Sequence, residues 1–238
     1  MTFPPTSPDH GHFYRETNLS HFIVEPWNAW SSLTFLIPAI YFIWQIRKSG
    51  EKHTFMLWFA CPLLILGGFG STFYHAFRAS FWLILADVLP ILILVLGVSI
   101  RTWMKVLKPK WLVIPVVVLF FLLTFATIRF FEGQDRVSAG YIIRGTMLLL
   151  PFVLYLRQPG IRLRLYVLYT GLFLGLALSF RYIDDKILIS WMSWGTHWLW
   201  HVSTAVAAWF LGEFILQNDR SARAIGNDRE GITESVVR

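Results

Sequence analysis

Three of the seven histidines in this 238-residue chain stand in strongly apolar surroundings: His75, His197 and His201. His197 and His201 are separated by Trp198, Leu199 and Trp200, so on a helix they lie one turn apart on one face, an arrangement that lets two imidazoles bind one metal ion. His75, on a neighbouring helix, can supply a third ligand. Three neutral imidazoles and one water make a catalytic zinc set, because the fourth position stays open for the nucleophile. Ser71 precedes His75 by one helical turn and shares its face. The Asp87 carboxylate could take a proton from a water held at such a site, or orient an imidazole from behind. Two blander readings compete. Each histidine alone could be a hydrogen-bonded packing residue, and a bis-histidine haem could use His75 with His197 or His201, leaving the third unexplained. The coincidence of three imidazoles, an aspartate and a serine at one depth favours a shared metal site.

The elements that must position these residues are membrane helices. Charged residues are 15% of the chain, against about 25% in ordinary globular proteins, while hydrophobic residues reach 55% and mean hydropathy is +0.54. Seven apolar spans are predicted, at 28–46, 54–76, 80–100, 111–131, 140–156, 165–183 and 192–216, with Asp87, Arg129, Arg144, Arg181 and Glu213 the charged residues inside them. About 20 residues at 1.5 Å each cross a ~30 Å hydrocarbon core. The expected fold is therefore all-α, a polytopic membrane protein built as a seven-transmembrane-helix bundle. Continuous aliphatic runs exclude a β-barrel, and the single cysteine, Cys61, excludes a disulfide scaffold. The net charge of +7 follows the loops rather than forming a nucleic-acid-binding patch, so no nucleic-acid partner is expected. Its basic residues concentrate in the loops on the side of the C-terminus, which predicts the N-terminus outside and the C-terminus in the cytoplasm. Residues 1–27 then form an extracytoplasmic N-terminal segment without the apolar core of a cleavable signal peptide, 28–216 the membrane domain, and 217–238 a polar cytoplasmic tail with at most a turn or two of helix. His75, Asp87, His197 and His201 all fall near the outer face. Arg144, Arg181, Asp184 and Glu213 receive no role from the sequence.

Gly70-Ser71-x-x-x-His75, then Asp87, then His197-x-x-x-His201 resembles the signature of the alkaline ceramidase family, part of a wider group of seven-helix membrane hydrolases and receptors that includes the adiponectin and progestin receptors. Val24-Glu25-Pro26-Trp27-Asn28-Ala29-Trp30-Ser31-Ser32 is similar to the start of that family's first helix. Phe180-Arg181-Tyr182-Ile183-Asp184 and Gly195-Thr196-His197-Trp198-Leu199-Trp200-His201 look like its bacterial branch. The resemblance implies a zinc ion on His75, His197 and His201, with Ser71 and Asp87 beside it. The implied reaction is hydrolysis of a linear amide C–N bond in ceramide or a related N-acyl lipid, giving a fatty acid and a sphingoid base or amine. The partners implied are the lipid substrate and the membrane. A receptor of the same group, with slow or vestigial hydrolysis, is the alternative. The family also carries a calcium cluster, whose positions match Glu16, Asn18 and Glu25. Where an aspartate would be expected this chain has Gly11-His12-Phe13, and hard cations need several oxygen ligands, so calcium binding is expected to be weak or absent.

Overall fold

The computed structural model describes residues 8, 9, 11–158, 163–186 and 191–237. Arg162 and Arg238, which enter the loop-charge asymmetry, lie outside the described residues. Among the described residues there is no β-strand, and seven helices are long and apolar enough to cross a membrane. They are α1 (Pro26–Ser49), α2 (Met56–Phe77), α3 (Phe81–Val106), α4 (Lys110–Phe130), α5 (Gly133–Tyr155), α6 (Arg164–Ile183) and α7 (His197–Val237). A helix satisfies all its backbone polar groups internally, which is why apolar runs of this length become helices in lipid. The outward surface is apolar as well: on α4, Ile114, Leu119, Leu122 and Phe125 are all exposed, as suits lipid rather than water.

Several boundaries differ from the sequence expectation: α3 ends at Val106 instead of residue 100, α5 begins at Gly133 instead of residue 140, and the seventh span differs at both ends. The seventh helix starts at His197 instead of residue 192, because Met192–Gly195 form a turn that ends at Gly195 with φ +83°. It also runs on to Val237 through the segment expected to be a largely non-helical tail. No proline interrupts that segment, and its first part is tied to the bundle by charge. Asp219 accepts hydrogen bonds from Arg101 and from Lys105 (2.9 Å), and Arg220 donates to Glu51 at 2.8 Å.

Packing is tightest between α6 and α7 and between α2 and α3. The second contact has a local cause. Pro90 lacks an N–H, so the Ala86 carbonyl loses its helical partner. Gly70 of α2 lies against that same carbonyl, so close that an added Cβ would stand 2.0 Å from the Ala86 oxygen. The two helices therefore touch at backbone distance next to Ser71 and Asp87. A buried core of Phe42, Ile46, Met56, Leu64, Phe152, Phe214 and Leu216 fills the bundle toward the other end.

Candidate metal centre

The N-terminal segment closes the end of the bundle where the histidines sit. The Val24 N–H donates to the Ala76 carbonyl at 2.9 Å and the Glu25 N–H to the His75 carbonyl at 3.1 Å, so the chain enters α1 paired with the last turn of α2. This brings Glu25 to His75, and the following turn of α1 brings Ser31 and Ser32 to α7.

His75, His197 and His201 are all buried, and one ligand atom from each lies within 4.8 Å of those of the other two. Their ring centroids are 4.8–5.4 Å apart. The hydrogen bonds behind two of the rings orient them. His75 Nδ1 is 2.5 Å from Glu25 Oε2, and an ionised carboxylate accepts only, so Nδ1 carries the proton and Nε2 keeps its lone pair. Ser31 Oγ donates to the Asn28 carbonyl at 3.0 Å, which leaves it to accept from His201 Nδ1 at 2.8 Å. Again Nε2 remains for a ligand. His197 is held differently: its backbone N–H donates to Asp184 Oδ1 at 2.8 Å, its ring stacks on Tyr14 with centroids 3.8 Å apart, and its Nδ1 is buried with no hydrogen-bond partner. A buried ring nitrogen short of one bond beside two oriented imidazoles fits a cation. The three residues thus suit a metal ion such as zinc, with a softer donor set than calcium or magnesium prefers.

Ser71 is buried next to this cluster, its hydroxyl 2.9 Å from that of Ser32 and within hydrogen-bonding reach of Asp87. Asp87 faces a cavity of about 140 Å³ together with Ser71, His197, His201, Tyr14 and Arg144. Toward the bundle core a second, apolar cavity adjoins it, lined by Phe42, Met56, Leu64, Val98, Leu211 and Ile215 and sharing Phe35, Ile91 and Thr204 with the first. All five residues singled out for catalysis and metal binding therefore meet at one place.

Glu16, Asn18 and Glu25, the positions matched to a possible second cation site, each make hydrogen bonds within the protein. The Glu16 carboxylate accepts the Trp27 and Asn28 N–H groups at 2.5 and 2.9 Å, capping the start of α1. Burial pushes that carboxyl up to about 7, against the pull of those two donors. Asn18 Oδ1 accepts from the Ser20 N–H at 3.1 Å. Glu25 takes hydrogen bonds from Thr17, His75 and the Arg78 guanidinium. Burial alone would raise its carboxyl, but the bond from His75 and the charge of Arg78 outweigh this and hold it below its ordinary value. Each of these three side chains thus has hydrogen-bond partners within the protein.

Four contributors were given no role by the sequence, although Ser31 and Asp184 stand inside the family-like segments quoted above. Asp184 accepts the N–H groups of Thr196 (2.6 Å) and His197 and that of Arg15 (3.0 Å), joining the N-terminal segment to the start of α7. Tyr14 covers His197, while Ser31 and Arg78 act through His201 and Glu25. Of the charged residues without a sequence role, Glu213 accepts from the Tyr41 hydroxyl at 2.7 Å, and the Arg144 and Arg181 guanidinium groups lie over the Tyr141 ring. No protein-family model matches this chain, and no curated protein does.

Proposed function

We propose that this chain is an integral-membrane, zinc-dependent amidase that hydrolyses ceramide or a related N-acyl lipid to a fatty acid and a sphingoid base or other amine. The observation that carries this reading is the meeting of three clustered imidazoles, two of them oriented by hydrogen bonds, a serine and carboxylate pair and an apolar cavity at one point inside the bundle. A zinc ion on His75, His197 and His201 would polarise the amide carbonyl and lower the pKa of a water from 15.7 towards about 7. Asp87 accepts the proton as that water adds to the carbonyl carbon, and returns it to the amine nitrogen as the C–N bond breaks. The Ser71 hydroxyl, backed by Ser32, donates to the carbonyl oxygen as negative charge develops there. The second cavity accepts the acyl chain, since its lining offers apolar contact and no charge. In the proposed orientation the N-terminus and this site face outward and the C-terminus is cytoplasmic.

Metal analysis of purified protein, joined to a screen of N-acyl lipids for fatty-acid release, tests the reading. About one zinc per chain is expected, with release above background, and His201→Ala should lose metal and turnover together. Zinc-loaded protein that releases no more fatty acid than a no-enzyme control would remove the amidase reading in favour of a receptor of similar architecture.

A further inference from the structure

Arg78 lies one residue beyond α2, and its side chain is fully buried. Its Nε donates to Asp9 Oδ2 at 2.5 Å and its Nη2 to Asp9 Oδ1 at 3.2 Å, a bidentate pair, while Nη1 donates to Glu25 Oε1. Asp9 and Glu25 are themselves fully buried. The other Glu25 oxygen takes His75 Nδ1. One unbroken line of charged hydrogen bonds therefore runs from the N-terminal segment through a guanidinium to an imidazole of the candidate metal centre.

Two further observations show that the guanidinium is built in. Arg78 has φ 48° and ψ 31°, a left-handed conformation that L side chains rarely adopt and that glycine would adopt freely at a helix end. Gly11 presses on it from the other side: a Cβ there would stand 2.9 Å from Arg78 Nη2 and 2.5 Å from the Tyr74 hydroxyl. Two buried carboxylates facing each other without a cation would repel, and one would be driven to take up a proton or turn away. A fork-shaped guanidinium satisfies both at once, where a point charge cannot.

We propose that Arg78 is a positioning residue for the metal centre, an internal cation that holds Glu25 against His75 so that Nδ1–H faces Glu25 and Nε2 faces the metal. The metal part of this inference rests on the zinc reading above; the orientation of His75 does not.

The test uses full-length protein in detergent, as wild type, Arg78→Gln, Arg78→Lys and Gly11→Val. Two quantities are read: zinc affinity against a competing chelator, and the downfield Nδ1–H signal of His75 in protein labelled with ¹⁵N-histidine. Arg78→Gln should weaken zinc about 10–100-fold, the range expected on losing the support behind a ligand, and should shift or abolish the signal. Arg78→Lys, which keeps the charge and loses the fork, should recover part of both. Gly11→Val, which alters no charge, should move both in the same direction as Arg78→Gln. Folded Arg78→Gln with wild-type zinc affinity and an unchanged signal overturns the assignment. If Arg78→Gln does not fold, Arg78→Lys decides, and wild-type values in it overturn the assignment equally. A wild-type signal that vanishes on calcium chelation also overturns it, since a bound ion would then be holding Glu25. Should wild type bind no zinc, the function proposed above fails, and the His75 signal alone judges Arg78.

Discussion

A neutral imidazole has one lone pair to offer, so the partner of its other nitrogen decides what it can bind. At His75 that partner is Glu25 and at His201 it is Ser31, both supplied by the start of α1. This matters for Asp87, which the sequence left as either a proton acceptor or an orienter of a ligand. The supporting positions behind His75 and His201 are filled, that behind His197 is open, and Asp87 faces the cavity beside Ser71; the acceptor role for Asp87 belongs to the function proposed above. Asp87→Asn and Ser71→Ala should therefore retain zinc. Asp87→Asn should lose amide turnover by about 10²–10⁴-fold, the usual contribution of a general base, and Ser71→Ala by roughly 10²–10³-fold if its hydroxyl steadies the developing oxyanion. Glu25→Gln should show the reverse pattern, losing zinc affinity first. Metal content and turnover measured on the same preparations separate the two patterns, and zinc loss in Asp87→Asn would return that residue to the orienting role.

At the scale of elements, the site depends on how closely α2 meets α3. Pro90 releases the Ala86 carbonyl, Gly70 lets the α2 backbone reach it, and Ser71 and Asp87 follow in register on either side. A methyl group at Gly70 would collide with backbone, which cannot rotate out of the way as a side chain can. Gly70→Ala should therefore separate the helices, lower the melting temperature in detergent and reduce turnover at least tenfold, an expectation drawn from the sensitivity of catalysis to ~1 Å misplacement. Unchanged melting and turnover would mean that the contact is not needed. Much of this level was legible in advance. Lipid forces apolar runs into helices, and polar groups inside them are so few that His75, Asp87, His197 and His201 stood out. The helix ends were less legible, because they are set by partners distant in the chain: Asp219 holds Arg101 and Lys105, and Glu51 holds Arg220, so α3 and α7 outrun their apolar segments. The supports of the site were hidden for the same reason. Nothing local marks Asp184 as the acceptor for both the Arg15 and His197 N–H groups, or Arg78 as more than a loop charge.

At the scale of the whole molecule, the two ends of the bundle differ in kind. The candidate centre lies where α2 ends and α7 begins, under an N-terminal segment fastened by Asp9–Arg78 and Arg15–Asp184 hydrogen bonds. The opposite end carries Arg47 and Lys48 of α1, Lys52 before α2, Arg101 and Lys105 of α3, Lys110 of α4, and Arg220 and Arg223 of α7. Basic residues are retained on the cytoplasmic side during insertion, and short loops make the bias strong. This end is therefore expected to face the cytoplasm and the candidate centre to face outward. Cysteine labelling can read the orientation directly, because the native Cys61 is buried and silent. Glu132, between α4 and α5, and Ser49, at the end of α1, are both exposed and lie at opposite ends of the bundle. In intact cells an impermeant thiol reagent should label Glu132→Cys and leave Ser49→Cys unlabelled until the membrane is opened. Labelling of Ser49→Cys alone would invert the molecule and put its three histidines, and any lipid they cleave, at the inner leaflet.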